Sequence, residues 1–265
     1  MVGQKKLLET IDSFTLSTLP RTIMLCGAKG SGRHTICSYI AGKFGLELLD
    51  ITETISLDTI VGAMQQVEPH LYIIDMDNVS EKEQNVILKF LEEPLKNSYI
   101  ILIVGNRFKL LQTIQNRCVV WHMDFYNREE LSTFFDGVDS SKVEILKHIT
   151  YTPGKIIEYK SRPIVEMYDL ANKIYDNIGK ATLPNTLTLV DKIAFKNEKD
   201  KFSLDAFLDV LDYVTYQKFT GNKISYDISG LSRKMIQDMY RYPNVNKEYL
   251  FSNFLINLRE AMRAK

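Results

Sequence analysis

The residues with the clearest chemical potential lie in the stretch Thr22–Thr35, TIMLCGAKGSGRHT. Gly27, Gly30 and Gly32 fall in the register of a phosphate-binding loop, G-x-x-x-x-G-K-[ST], behind an apolar run and ahead of the helical run Thr35–Lys43. Glycines there let backbone N–H groups turn toward an anion beside the positive end of a helix. The two side chains that should complete such a site are different. Arg33 keeps the positive charge, but as a long, forked guanidinium where a compact ammonium belongs. His34 removes the hydroxyl that would ligate Mg²⁺, a cation that prefers oxygen ligands. Thr35 lies one residue late and would serve only in a shifted register. The other reading of these residues is a glycine-rich turn with no ligand.

A second stretch carries the same message. Leu71–Ile74 is an apolar strand that runs into Asp75-Met76-Asp77. Asp75 stands where the strand-end carboxylate of a P-loop protein contacts Mg²⁺ through water. The residue after it, often a glutamate that polarises the attacking water, is Met76. Loss of a general base costs about 10²–10⁴-fold in rate. Asp77 would point to the opposite side if the strand continued through it. Two separate changes thus weaken hydrolysis in the same direction.

The elements that must position these residues follow from periodicity. Thr22–Leu25, Leu46–Ile51, Leu71–Ile74, Tyr99–Val104 and Val119–Trp121 are apolar runs of strand length. Amphipathic stretches separate them, notably Thr35–Lys43, Leu57–Gln66 and Glu81–Leu91. Such alternation predicts an α/β domain with a parallel sheet covered on both faces, ligand loops at the carboxyl ends of its strands. After Trp121 the strand signal stops. Asn127–Phe135 and Ser140–Ile149 read as short helices capped by Asn127 and by Asp139 or Ser140, and Thr152-Pro153-Gly154 starts a third. From Pro163 onward apolar residues recur at helical spacing, as in Ile164, Met167, Ala171 and Ile174, with a polar loop at Lys196–Lys201. The expected organisation is an α/β domain over 1–123, a small helical domain over 124–162 and an all-α bundle over 163–265.

Composition narrows the class. The 265 residues are 45% hydrophobic and 25% charged, with 33 basic and 33 acidic side chains. Zero net charge argues against coating nucleic acid by bulk electrostatics, though a local patch is compatible with it. Residues 231–265 carry seven Lys or Arg against three Asp or Glu, which suits a solvated face as well as phosphate contact. No apolar run is long enough to cross a membrane, the N-terminus is too polar for a secretory signal, and the expected compartment is the cytoplasm. Cys26, Cys37 and Cys118 are scattered among apolar residues without CxxC pairing. Buried thiols are expected, and no metal site.

The segment "LYIIDMDNVSEKEQNVILKFLEEPLKNSYIILIVGNRFKLLQTIQNRCVVWHM" resembles the clamp-loader branch of the AAA+ ATPases, in particular the delta-prime type of bacterial or phage DNA polymerase III. The family's Q-N-A-L-L-K-x-L-E-E-P helix matches Gln84 to Pro94, and its Ser-Arg-Cys motif matches Asn116-Arg117-Cys118. The resemblance covers roughly residues 1–160. It implies an AAA+ P-loop domain, a helical lid and a C-terminal oligomerising collar. Residue by residue, it places Val2-Gly3-Gln4 near an adenine and Asn106 at the sensor facing a γ-phosphate. It places Lys155 at the second sensor, and makes Arg117 an arginine finger reaching into a neighbouring subunit. The family's zinc-binding cysteine insertion is absent, and Asn116 replaces the motif's serine.

The resemblance implies a subunit of a hetero-oligomeric ring that loads a sliding clamp onto primer-template DNA. ATP and Mg²⁺ would be held in the neighbouring subunit, with a vestigial nucleotide site here and no hydrolysis by this chain alone. Taken without it, Arg117 is a surface ion-pair former, Asn106 a turn cap, Lys155 a solvated helix start, and Asn85, Lys89 and Glu92 a solvated helix face. Two other function classes stay open: an active AAA+ ATPase in which Arg33, Thr35 and Asp77 take over displaced roles, and a helicase-loader or recombination-associated AAA+ protein.

Overall fold

A computed structural model describes residues 2–56, 62, 68–92, 98–192, 203–219, 223–241 and 245–263. The expected helix Leu57–Gln66 (apart from residue 62), the loop Lys196–Lys201 and Glu93-Pro94 of the clamp-loader-like motif lie outside the described residues. The chain forms two compact units, 1–134 with 152–155, and 135–151 with 156–265.

The first unit is built on five parallel strands: β1 (Thr22–Cys26), β2 (Glu47–Asp50), β3 (His70–Asp75), β4 (Ser98–Val104) and β5 (Val119–His122). Their order across the sheet is β2-β3-β4-β1-β5. β1 pairs with β4 on one side, Thr22 opposite Ile100, and with β5 on the other, Ile23 opposite Val119. Each strand begins and ends within about two residues of its expectation, because near-continuous apolar runs are what a sheet buried on both faces requires.

Side-chain alternation decides which helices cover which face. Ile23, Leu25, Leu71, Ile73, Ile101 and Ile103 point to one face, where they meet Leu7 and Ile11 of α1 (Lys5–Asp12) and Ile36, Cys37 and Ile40 of α2 (Arg33–Phe44). Met24, Cys26, Tyr72, Ile74, Ile100 and Leu102 point to the other. There they meet Ile87, Phe90 and Leu91 of α3 (Glu81–Glu92) and Ile114 of the short α4 (Gln112–Gln115). Met76, the residue in the general-base position, is buried in this second core. After β5, α5 (Arg128–Ser132) starts on a capping box: Asn127 Oδ1 accepts from Glu130 N, and Glu130 Oε2 accepts from Asn127 N.

The second unit is helical: α6 (Ser140–Ile149), most of α7 (Pro153–Lys160), α8 (Ile164–Asn177), α9 (Leu183–Lys192), α10 (Leu204–Phe219), α11 (Lys223–Arg241) and α12 (Lys247–Arg263). Asp139 caps α6 by accepting from Ser141 N at 2.9 Å. Met167, Ala171 and Ile174 of α8 pack with Phe207, Leu211 and Val214 of α10 and Phe251, Leu255 and Leu258 of α12. No helix among the described residues is long and apolar enough to cross a membrane.

The three cysteines are free. Burial pushes the Cys37 and Cys118 thiols up to about 12 and raises Cys26 as well. Their thiolates are therefore scarce at neutral pH, and the thiolate is the nucleophile. Alkylation with iodoacetamide at pH 8 should be at least tenfold slower in the native protein than in denaturant, read by mass spectrometry of the three cysteine peptides. Native-state labelling of Cys37 or Cys118 at the unfolded rate would contradict this packing.

Candidate functional site

The glycine-rich loop leaves β1 at the carboxyl end of the sheet, between β4 and β5. Gly27 N–H donates to Val104 O at 3.0 Å, which ties the loop's first residue to β4. Ser31 N–H closes a turn onto Ala28 O at 3.0 Å. Gly30 and Gly32 have φ of 82° and 90°, a backbone state that side chains with a Cβ adopt at a cost. Gly32 is the residue from which α2 starts.

Arg33 then turns into the protein, with only 5% of its side chain exposed. Its Nη1 donates to Asp77 Oδ2 at 2.9 Å and to Gly27 O at 3.3 Å, and its Nη2 lies 3.5 Å from Asp75 Oδ2. The guanidinium thus joins the loop to both carboxylates at the end of β3. Further bonds hold those carboxylates in place. Asp75 N donates to Thr52 Oγ1, Asp77 N donates to Asp75 Oδ1, and Gly105 N donates to Asp77 Oδ1 at 2.6 Å. β3 ends at Asp75, so strand alternation stops before Asp77 and both acids face one cation.

Two more groups close around the loop. The backbone of 152–155 packs directly on it: Gly154 N–H donates to Gly30 O at 2.8 Å, and Thr152 Oγ1 to Lys29 O at 3.2 Å. A Cβ on Gly154 would stand 2.6 Å from Gly30 Cα, so this approach needs glycine on one side. Lys155 is in the first turn of α7, with its backbone N beside Gly30. On another side Tyr126 lies against Gly3 and donates its hydroxyl to Ser31 O at 2.8 Å. Burial raises the Tyr126 phenol, which keeps it a protonated donor. Gln4 is buried in the left-handed region at φ 59°. Its side-chain amide offsets that strain by pairing twice with the Asp124 backbone, both contacts 2.8 Å.

The remaining sequence-derived positions are less engaged. His34 and Thr35 are exposed in the first turn of α2. Asn106 follows β4 and caps the turn Arg107–Lys109, accepting from Phe108 N at 3.0 Å. Arg117 stands apart from the loop. It precedes β5, and its carbonyl accepts from Thr22 Oγ1 at the amino end of β1. Its guanidinium donates from Nη1 to Thr113 O at 2.9 Å and from Nη2 to Glu92 Oε1 at 2.8 Å.

Parts of this chain are similar to known proteins. Residues 48–126 match the family model described as DNA polymerase III, delta subunit. DNA polymerase III subunit delta' of Haemophilus influenzae is 36% identical over 67 residues, 25% of this chain and 20% of its own length. Part of this chain is therefore similar to subunits of DNA polymerase III. DNA polymerase III subunit gamma of Buchnera aphidicola subsp. Schizaphis graminum is 22% identical across 78% of this chain and 66% of its own. The chain therefore spans less than two thirds of the length of either relative. An arginine-to-alanine variant of RuvB from Thermotoga maritima shares the fold, with a TM-score of 0.51 at 15% identity over 98% of this chain and 87% of that one.

Gly27, Gly30, Gly32, Arg33 and Asp75 come together at one end of the sheet, as their order along the chain suggested. Sequence reasoning missed Tyr126, Thr52 and Gly154 as neighbours of the loop, and Glu92 as the partner of Arg117. For Asp77 a signal was present, since two aspartates straddling a strand end can converge once the chain turns. No group of three or more potential metal ligands occurs among the described residues.

Removing Arg33 leaves two carboxylates, 27% and 30% exposed, without their cation. Loss of one partner from a largely buried ion pair costs about 3–5 kcal/mol, and residual solvation of the acids should hold the loss to about 2–4 kcal/mol. Urea unfolding of Arg33→Ala against wild type measures it, as a lower midpoint at an unchanged slope. A midpoint equal to wild type would show that the cluster contributes nothing.

Proposed function

We propose that this chain is a delta-prime-like subunit of a replicative clamp loader that does not hydrolyse ATP itself and supplies Arg117 to a neighbouring ATPase subunit. In that role it packs in a hetero-oligomeric ring that places a sliding clamp on primer-template DNA. The family match supports the assembly, and the Arg33 cluster supports the absence of hydrolysis.

The residues present do not suit Mg²⁺ and a triphosphate. The two carboxylates that could face a divalent cation are already joined by a fixed guanidinium. His34 offers no oxygen, and Met76 is packed in the core without a titratable group. Ser31 has its N–H in a turn and its carbonyl bonded to Tyr126. A nucleotide would have to displace several internal bonds at once.

The observation that carries the trans role is the direction of β1. Arg117 is bonded to Thr22 at the amino end of this strand, whereas the loop begins after Cys26 at the carboxyl end. Four residue steps at about 3.3 Å separate those ends by about 13 Å across a packed sheet. Arg117 is therefore at the opposite end of β1 from its own loop. A planar guanidinium offers several donors to a phosphoryl group whose charge is spreading over its oxygens, which lysine does not reproduce.

Two measurements test this. The isolated chain should show no ATP turnover above background. Reconstitution with an ATP-hydrolysing clamp-loader subunit, a sliding clamp and primed DNA should give normal assembly with Arg117→Ala but DNA-stimulated hydrolysis about 10³–10⁵-fold slower. Equal rates for wild type and variant, or turnover by the lone chain that Asp75→Ala abolishes, would overturn the proposal.

A further inference from the structure

The side chain of Arg117 is held before any neighbour arrives. We propose that Glu92 is a positioning residue for Arg117: its carboxylate, with the Thr113 carbonyl, fixes the guanidinium in the orientation from which it donates to a neighbouring subunit's phosphate. The inference rests on the finger reading above and adds a residue to it.

Three observations carry it. First, the two contacts come from different elements, Glu92 at the end of α3 and Thr113 in α4, so they fix both the direction and the plane of the guanidinium. Second, they leave donors free. Arginine has five N–H bonds, of which one on Nη1 and one on Nη2 are engaged. Three have no partner among the described residues: the second on each Nη, and Nε–H. The side chain is also 35% exposed. Third, helix stability does not explain a carboxylate at this place. A negative charge in the last turn faces the partial negative end of the helix and is disfavoured there. Arg117 is the one cation paired with it among the described residues. Because ion pairs this exposed add little to stability, preorganisation of the arginine is the larger effect.

An unrestrained arginine must lose much rotamer freedom when it docks, and a held one has lost it already. Glu92 should therefore act on the chemical step through Arg117 alone. In the reconstituted loader with primed DNA, Glu92→Ala should lower kcat about three- to tenfold while leaving the KM for ATP unchanged, the pattern of an interaction used only in the transition state. Glu92→Gln keeps an acceptor oxygen at the same reach and should recover most of the loss. On an Arg117→Ala background, Glu92→Ala should change nothing further. Thermal midpoints of both Glu92 variants should stay with wild type.

The outcomes separate the two ideas. A large loss with Arg117→Ala and none with Glu92→Ala overturns the positioning role and leaves the finger standing. A gain in rate with Glu92→Ala also overturns it, because the carboxylate would then compete with phosphate for the guanidinium. A loss that persists on the Arg117→Ala background marks Glu92 as acting by another route. No effect of Arg117→Ala removes both proposals together.

Discussion

The pairing of Arg33 with Asp75 and Asp77 is the constraint on which the nucleotide-loop end of the sheet depends. A guanidinium with 5% of its side chain exposed must have its charge matched, and the two acids at the end of β3 do that. In doing so they tie the loop after β1 to the end of β3, with β4 between them. Gly105 after β4 joins the same cluster through its N–H. Three neighbouring strands thus end on one hydrogen-bonded knot. The charges a metal–phosphate complex would need to meet are there, but both signs come from the protein. One guanidinium against two carboxylates leaves a net charge of −1, and each acid already has a cationic partner within the protein.

The direction of a parallel sheet then separates the two candidate activities. Loops at the carboxyl ends of the strands carry the phosphate-loop residues, and Arg117 lies at an amino end. That separation follows from the topology alone. β1 lies between β4 and β5, so the residue before β5 is adjacent to the start of β1 and remote from its end. An arginine there is compatible with trans chemistry or with a purely structural role, and never with service to the loop of its own chain. Its two local acceptors do not consume its donor capacity, which is what a shared guanidinium requires.

Much of this frame was legible in the residues. The buried parallel strands announced themselves as apolar runs, and Asn127 and Asp139 as caps, because those signals are local. Contacts that join distant segments left no local trace. Arg33 reaches Asp77 across 44 positions and Gln4 reaches Asp124 across 120, and neither pairing has a periodicity to betray it. Asp77 was misleading for a definite reason. Alternation predicts a side chain's direction only while the strand lasts, and β3 stops at Asp75. The helices α9 and α11 were visible only as part of a generally helical region, since their boundaries depend on packing partners elsewhere in the bundle.

The glycines of the loop have structural reasons of their own. Gly30 is required where it stands even if no phosphate ever enters. Its φ of 82° favours glycine, and a Cβ there would meet Thr152 Oγ1 at 2.8 Å and Lys155 N at 3.2 Å. Gly154 is its counterpart, because two backbones joined by a 2.8 Å hydrogen bond leave no room for a methyl group between them. Gly32 starts α2 at a φ of 90°. These positions answer to backbone geometry and close packing, whereas a lysine and a hydroxyl after the last glycine would answer only to a ligand. Where no ligand is held, the second set is free to vary and the first is not. Glycines at these positions followed by Arg33 and His34 are compatible with that difference in constraint. It also means that glycine spacing by itself reports a strand–loop–helix fold, while the residues that follow the last glycine report whether a nucleotide is handled there.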